Sequence, residues 1–155
     1  MSLDTINRYA LAMDLLSLDA RISIVVKETG LSAGILRKAY VDMHHRSPAS
    51  GSLKTSPHFI YKSHLRTKEA TVYAVYFRIQ NVHEFCQRTI TSYRRYSSYI
   101  KSVSSSEPVL DFSEAWVISK WLTSGTLKLV RCDHCRSAKL LINEQQYYVC
   151  CVCKT

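Results

Sequence analysis

Two Cys-x-x-Cys pairs close the chain and constrain its fold more than any other feature. Cys132 and Cys135 form the first pair, Cys150 and Cys153 form the second, and 14 residues separate the two pairs. A two-residue gap turns the backbone so that both thiolates of a pair face one ion, and a hairpin between the pairs brings all four together. The spacing therefore predicts a zinc ribbon that holds one Zn²⁺ per chain.

Four cysteine ligands leave no open coordination position for water or substrate, so this zinc site is expected to be structural. Two disulfides are the alternative. Residues 1–20 carry charges at four positions, unlike a signal peptide, and no apolar run approaches the ~20 residues of a membrane span. We therefore expect a cytoplasmic protein without membrane contact, in a compartment where thiols stay reduced. Cys86, alone at an apolar-periodic position, is expected to be a small buried hydrophobe.

Apolar residues recur at three- and four-residue steps through most of the chain before the cysteines, which is the period of an α-helix. We expect a first helix that begins with Asp4 as its N-cap and continues to Leu16. A second helix stops at Gly30, a residue suited to the left-handed position after a helix end. Ser32 then caps a third helix over 33–44. The sequence therefore predicts three helices before residue 46.

The middle of the chain is also predicted to be helical. Residues 67–101 contain no Gly or Pro and keep the helical step, so they form one long helix or two shorter ones, which the serine-rich stretch 102–106 ends. A further helix is expected over 111–124, before Gly125. The apolar stripes of these helices exceed what 155 residues readily cover. We therefore expect the chain to need a partner for full solubility.

Within the cysteine region, residues 139–143 and 146–149 are predicted to be two strands around a Glu–Gln turn. The first strand follows the first cysteine pair, and the second precedes the last pair. Such a hairpin would bring the two pairs together.

Residues 22–40 can be interpreted as a helix-turn-helix, with Gly30 to Ser32 as the turn. In such units the second helix enters the DNA major groove and reads bases with residues near its N-terminus. The candidates here are Ser32, Arg37 and Lys38. Any pair of helices with a glycine turn has a similar sequence trace, so the pattern alone leaves DNA binding and simple helix packing both open.

The net charge of +9, from 21 basic and 12 acidic residues, favours a polyanionic partner. The excess is concentrated in residues 47–107, which hold nine basic and three acidic side chains. The candidate phosphate contacts in and around the loop after the third helix are Arg46, Lys54, Lys62 and Arg66. A solvated helix face is the alternative for the other basic residues, and the tyrosines among them, such as Tyr93 and Tyr96, are expected to bury their rings.

The expected fold class is mainly α, with a helical DNA-binding domain that contains a helix-turn-helix and a small C-terminal zinc ribbon. The expected organisation is an N-terminal helical region with the helix-turn-helix (1–46), a basic loop (47–66), a helical core (67–125) and the zinc ribbon (126–155).

Signals for catalysis are poor. Four glycines leave no room for a glycine-rich phosphate loop, and the acidic residues show no paired arrangement. We therefore expect a binding protein rather than an enzyme. The alternative function is a zinc-ribbon accessory module of a DNA recombinase or nuclease.

Several short motifs occur together and in order along nearly the whole chain. They are the N-terminal stretch Leu11-Ala-Met-Asp-Leu-Leu, the Glu28-Thr-Gly-Leu-Ser32 turn, the loop from Ser47-Pro48 to Gly51, Ala115-Trp116, Ser124-Gly125 and the four-cysteine end. In this combination the chain resembles the FlhC family, bacterial transcriptional activator subunits that work with FlhD.

The resemblance implies a DNA-binding activator of bacterial promoters, located at the nucleoid in the cytoplasm. It implies a hetero-oligomer with a small helical FlhD-like protein on double-stranded DNA, recruitment of RNA polymerase, and a zinc ion held by the four cysteines. FlhC-like proteins activate flagellar genes, whereas relatives on conjugative or integrative elements activate DNA-transfer genes. This sequence is divergent enough to belong to the second group, so both regulons stay open.

Overall fold

The computed structural model describes residues 1–143 and 149–155, which are mainly helical, as predicted. The elements in chain order are α1 (Leu3–Ser17), α2 (Ile22–Thr29), α3 (Ala33–His44), a 3₁₀ helix (Pro57–Tyr61), α4 (His64–Ile79), α5 (Phe85–Ser104), α6 (Phe112–Ser124), β1 (Leu127–Arg131) and β2 (Ala138–Ile142). No helix in these described ranges combines the length and the apolar character needed to cross a membrane.

The chain divides into two compact units, residues 1–52 and 53–155. In the first unit α1, α2 and α3 pack against one another. Their fully buried side chains include Leu15 from α1, Ile24 from α2 and Tyr40 from α3. The amphipathic pattern of each helix thus closes a small three-helix core.

The helix ends in the first unit follow local chemistry. Ser32 caps α3, as predicted, and its hydroxyl accepts a hydrogen bond from the N–H of Ile35 at 3.4 Å. The expected cap of α1 was wrong by two positions, because the hydroxyl of Ser2 accepts the Thr5 N–H and Asp4 lies inside the first turn. There the Asp4 carboxylate still faces the positive end of the helix dipole.

Gly30 ends α2 in the left-handed region at φ 71°, as predicted. A side chain at this position would also collide with the Arg8 guanidinium, since a Cβ there would lie 2.8 Å from Nη2. Arg8 occupies that space because its Nε donates to the carbonyl of Thr29 at 2.7 Å, at the end of α2. Glycine is therefore required both by the backbone angle and by the contact between α1 and α2.

In the second unit α4, α5 and α6 pack together around fully buried residues such as Tyr73, Ile90 and Ile118. Residues 67–101 form parts of two helices rather than one. The carboxylate of Glu84 accepts the N–H groups of Cys86 and Gln87, at 3.0 and 2.7 Å, and so starts α5 afresh. This N-cap marks the start of a second helix, although residues 67–101 keep one helical period throughout and contain no Gly or Pro.

The remaining helix of this unit lies close to its expected bounds. Asp111 and Glu114 form a capping box at the start of α6, and Gly125 ends the helix at φ 84°. Cys86 is 1% exposed in the core, as expected.

Strands β1 and β2 form an antiparallel pair in which Leu127 lies opposite Ile142 and Arg131 lies opposite Ala138. The predicted strand 139–143 exists, shifted by one residue, and its partner is the segment before the first cysteine pair. Of the other predicted strand, residues 146–148 lie outside the described residues, and Val149 has no regular structure. The strand pair packs on α4, with β1 also against α6, so it anchors the first cysteine pair to the helical part of the unit.

Candidate metal centre and nucleic-acid interface

The four predicted cysteine ligands converge. The Sγ atoms of Cys132, Cys135, Cys150 and Cys153 all lie within 4.8 Å of one another. Two of the separations, Cys132 to Cys153 and Cys135 to Cys150, are 3.7 Å. Tetrahedral coordination with metal–sulfur bonds of about 2.3 Å requires sulfur atoms about 3.8 Å apart. The site can therefore hold one metal ion, and its donor set suits a soft or borderline cation.

The same distances are too long for disulfides, and all six cysteines have free thiols. Cys151 and His134, which lie within the cluster in sequence, are not members of the converging group.

Both cysteine pairs sit in the same type of turn. The N–H of Arg136 donates to the carbonyl of Cys132 at 2.9 Å, and the N–H of Lys154 donates to the carbonyl of Cys150 at 2.9 Å. Arg136 and Lys154 follow the second cysteine of each pair and have φ angles of 65° and 59°. Such left-handed conformations are uncommon for residues with a Cβ. Two equivalent turns thus aim each thiol pair at one point.

Hydrogen bonds around Cys135 and Cys153 favour the ionised, metal-binding form of these two thiols. The hydroxyl of Ser137, followed by its backbone N–H, lowers the pKa of the Cys135 thiol to about 6. Thr155 has the same effect on Cys153, whose pKa is also lowered. At Cys150 the balance is opposite. Backbone hydrogen bonds from Cys153 and from Val152, whose N–H donates to the sulfur at 3.4 Å, lower the pKa of this thiol. Burial and the Cys135 and Cys132 thiols outweigh them, and the pKa of Cys150 is raised. These supporting groups were missed from the sequence, although each lies within two residues of a ligand.

The predicted DNA-reading residues of the first unit lie on and around α3. Arg37 and Lys38 are exposed on α3, while Leu36 and Tyr40 on its other side are buried. Ser32 is exposed, and its hydroxyl is engaged in capping the helix. The two cations therefore project from a helix whose opposite side is fixed by the core.

Arg46 lies just after α3 and has a carboxylate partner. Its guanidinium donates to Asp19 at 3.0 Å and stacks over the Tyr40 ring, 5.3 Å from the centroid. The Tyr40 hydroxyl donates to the same carboxylate. Half of the Arg46 side chain, 52%, remains exposed. This triad fixes the end of α3 against the turn after α1.

Arg21 is a basic residue of this surface that the sequence did not single out. It lines a cleft of about 330 Å³ together with Arg37, Ser23 and the loop 48–51. Its guanidinium donates to the carbonyls of Ser50 and Gly51, at 2.8 and 3.1 Å, and so holds that loop beside the start of α2.

The other three predicted phosphate contacts belong to the second unit. Lys54 and Lys62 are exposed, and the Lys54 ammonium lies 5.8 Å from the centre of the Phe59 ring. Arg66 differs from them, because it donates to Glu114 at 2.9 Å and its side chain is only 27% exposed. The loop lysines are thus free to meet a phosphate, whereas Arg66 ties α4 to α6.

Comparison with known proteins connects this sequence to one family. The family model described as "Flagellar transcriptional activator (FlhC)" matches residues 2–155. The chain is 31% identical to the flagellar transcriptional regulator FlhC of Pectobacterium carotovorum over 149 residues, which cover 93% of this chain and 77% of that protein. It is 28% identical to the protein of the same name from Gallionella capsiferriformans over 148 residues, which cover 92% and 81% of the two chains.

Proposed function

Because this chain belongs to the FlhC family of flagellar transcriptional activators, a family of regulators rather than enzymes, we propose that it binds double-stranded DNA at bacterial promoters. It does so at the nucleoid as one subunit of a complex with an FlhD-like small helical protein, and the complex recruits RNA polymerase. The observation that carries the proposal is the exposed pair Arg37 and Lys38 on a helix with a buried opposite side.

We propose that α2 and α3 act as a helix-turn-helix, with α3 in the major groove. The Ser32 cap and the Gly30 turn fix the start of α3, which is the end that reads bases in such units. Arg37 offers the forked donor geometry that suits guanine. Lys54 and Lys62 contact phosphates, while Arg46 and Arg66 contribute less because carboxylates already hold them.

The metal is Zn²⁺, in a structural role. Sulfur separations of 3.7 Å match tetrahedral zinc, and four protein ligands leave no site for a reacting water. Zinc supplies the cross-link that holds the C-terminal turns together. The chain's own Ser137 and Thr155 lower the pKa of two of these thiols, Cys135 and Cys153, and so favour their metal-binding form.

An exposed stripe on α1 supports a helical partner. Leu3, Ile6, Ala10 and Met13 are exposed, at alternating steps of three and four residues. The opposite side of α1 buries Leu15 and other residues in the core. An exposed apolar stripe with this spacing can pack against a second helix, whose side chains fit into the grooves between its own. A small helical FlhD-like protein can supply that helix.

The DNA proposal is tested by selecting binding sites from a randomised duplex library with the complex, at two salt concentrations. Arg37→Ala should relax base preference at one position per half-site, since a bidentate arginine–guanine contact contributes about 1–3 kcal/mol of discrimination. Lys54→Ala should weaken binding to all sequences alike and lower the salt slope by about one unit.

Lys27→Ala is the matched control for Arg37, because it removes an exposed cation from α2 in the same unit. Base preference that is unchanged in folded Arg37→Ala and Lys38→Ala variants would show that α3 is not the reading helix. Specificity would then have to come from the partner or from the metal-bound segment.

The partner proposal is tested by co-expression with an FlhD-like protein followed by sizing chromatography. Ile6→Glu and Met13→Glu place charges in the α1 stripe and should abolish the complex. Asn7→Glu, on the exposed flank of the same helix, should retain it. A stable complex with both stripe variants would place the partner elsewhere.

The regulon is either flagellar genes or DNA-transfer genes. The chain is only 28% and 31% identical to the two flagellar relatives named above, and this divergence keeps DNA-transfer genes in the proposal. Transcript profiling after deletion of the gene distinguishes the two, because only one set of genes should lose expression.

A further inference from the structure

We infer that the edge of the small sheet forms a further binding site, distinct from the metal site and the DNA-binding surface. It is a groove that binds an extended acidic peptide segment, and the bound peptide adds to β1 as a third strand. The groove runs along β1 between α4, α5 and the end of α6. The proposal does not depend on DNA binding by the other surfaces.

The strand pairing leaves the outer edge of β1 open. The N–H of Asn143 donates to the carbonyl of Thr126, and the N–H of Cys132 donates to the carbonyl of Ser137. In the register of this antiparallel pair, the even-numbered residues of β1 therefore bond to β2, and the backbone groups of Leu127, Leu129 and Arg131 point away from it.

These outward-facing backbone groups make almost no hydrogen bonds within the described residues. In residues 1–143 and 149–155 the N–H groups of Leu129 and Arg131 have no hydrogen-bond acceptor. The carbonyl of Leu129 receives only a long contact of 3.4 Å from the Arg78 guanidinium. Such an edge is a template for another strand, and its main-chain groups supply affinity.

A cleft of about 480 Å³ lies beside this edge and has an apolar floor. Ala74 and Phe77 of α4, Leu122 of α6, and Leu127 and Leu129 of β1 contribute to its lining. A volume of this size accepts one or two apolar side chains. Because neighbouring side chains of a strand alternate in direction, an added strand can place every second residue in the cleft.

The basic side chains around the cleft favour an acidic peptide as the ligand. Arg78, Arg88 and Lys128 line it, Arg131 lines the adjoining depression along β1, and neither lining contains an acidic residue. A second copy of the chain would bring these cations against themselves, so β1 is protected from pairing with its own kind. An acidic segment with alternating apolar residues satisfies the edge, the floor and the charges together. DNA could use only the charges.

The first experiment selects heptapeptides from a random phage-displayed library on the full-length, metal-loaded chain. The selected peptides should alternate Val, Ile or Leu with Asp or Glu, and they should contain few prolines. Selection of basic peptides, or of none, would overturn the proposal.

The second experiment measures the Kd of the consensus peptide for charge variants. Lys128→Glu should weaken it on the order of tenfold, since it reverses an exposed charge at the rim. Arg95→Glu reverses an exposed charge on α5 outside the cleft and should leave the Kd unchanged. Equal affinity for the wild-type chain and the Lys128→Glu variant would contradict the site.

The third experiment uses the unmodified chain and detects strand addition directly. Hydrogen exchange of the Leu129 and Arg131 amides should be fast in the free chain and slow at saturating peptide, because the peptide's carbonyls become their acceptors. If exchange there is unchanged, or if duplex DNA slows it and the peptide does not, the groove is not a peptide site. Neither result would affect the proposed role of Arg37.

Discussion

The helical part of the second unit, residues 53–125, and its C-terminal segment, 126–155, are held together by different physics. The helical part has fully buried side chains on each of its three main helices, such as Tyr73, Ile90 and Ile118. In the described part of the C-terminal segment the buried apolar side chains are Leu127, Leu140 and Ile142, together with Cys132 and Cys150. So few buried apolar groups cannot offset the entropy of ordering the described part of this segment, residues 126–143 and 149–155. If the four cysteines hold the proposed metal ion, one region of this unit folds by burial and the other by a metal cross-link.

Loss of the metal should separate the two regions most strongly. Structural zinc contributes on the order of 10–16 kcal/mol in zinc-finger peptides. Cys132→Ser should therefore release the metal and make residues 126–155 sensitive to protease, while circular dichroism shows the helices largely retained. The metal content, measured by elemental analysis, should fall below one ion per chain. Cys151→Ser changes a cysteine outside the converging group and serves as the control; metal loss in that variant would contradict the assigned ligands.

A cavity in the helical part should have the opposite effect. Ile118→Ala removes a fully buried side chain on α6 and should lower the free energy of unfolding by about 3 kcal/mol. Denaturant unfolding followed by circular dichroism measures this loss, and metal content should stay at one ion per chain. An equal loss from Val103→Ala, at a position 61% exposed on α5, would show that burial does not stabilise this region.

Removal of a hydrogen bond that links the two regions should have a smaller effect. The Tyr61 hydroxyl donates to the carbonyl of Leu140 on β2 at 2.8 Å. Tyr61→Phe removes this bond and should cost about 1 kcal/mol. If the bond couples the regions, hydrogen exchange should increase at β2 and remain unchanged in α6. A uniform increase in both places would mean that they unfold as one unit.

The smallest predicted effect concerns backbone strain beside a ligand. Arg136 adopts φ 65°, a conformation that is easier for glycine. Arg136→Gly should raise the stability of the metal-bound form by about 0.5 kcal/mol, since relief of strain slightly exceeds the added entropy of the unfolded chain. Competition with a chelator provides the measurement. A lower metal affinity in Arg136→Gly than in wild type would show that the arginine side chain itself supports the turn.

Much of the local structure could be predicted, because it depends on residues close together in sequence. The bounds of α3 follow from Ser32 and the helical period, and the end of α2 follows from Gly30. The break between α4 and α5 could not be located, because Glu84 acts as a cap only in the conformation that the structure adopts there. The partner of β2 was also missed, since strand pairing is decided by contacts that the period does not encode.

The sequence by itself determined the donor set of the candidate metal site and the helical class of the fold. Four cysteines at two-residue gaps specify ligand type and number, and the period of apolar residues specifies helices, because both are properties of short segments. Only the tertiary structure decided which side of α1 is buried, which leaves Ile6 and Met13 exposed. It also decided that Arg66 has a carboxylate partner while Lys54 and Lys62 remain exposed. Glu114 lies 48 residues from Arg66. No local pattern can reveal such a pairing, because packing between distant segments creates it.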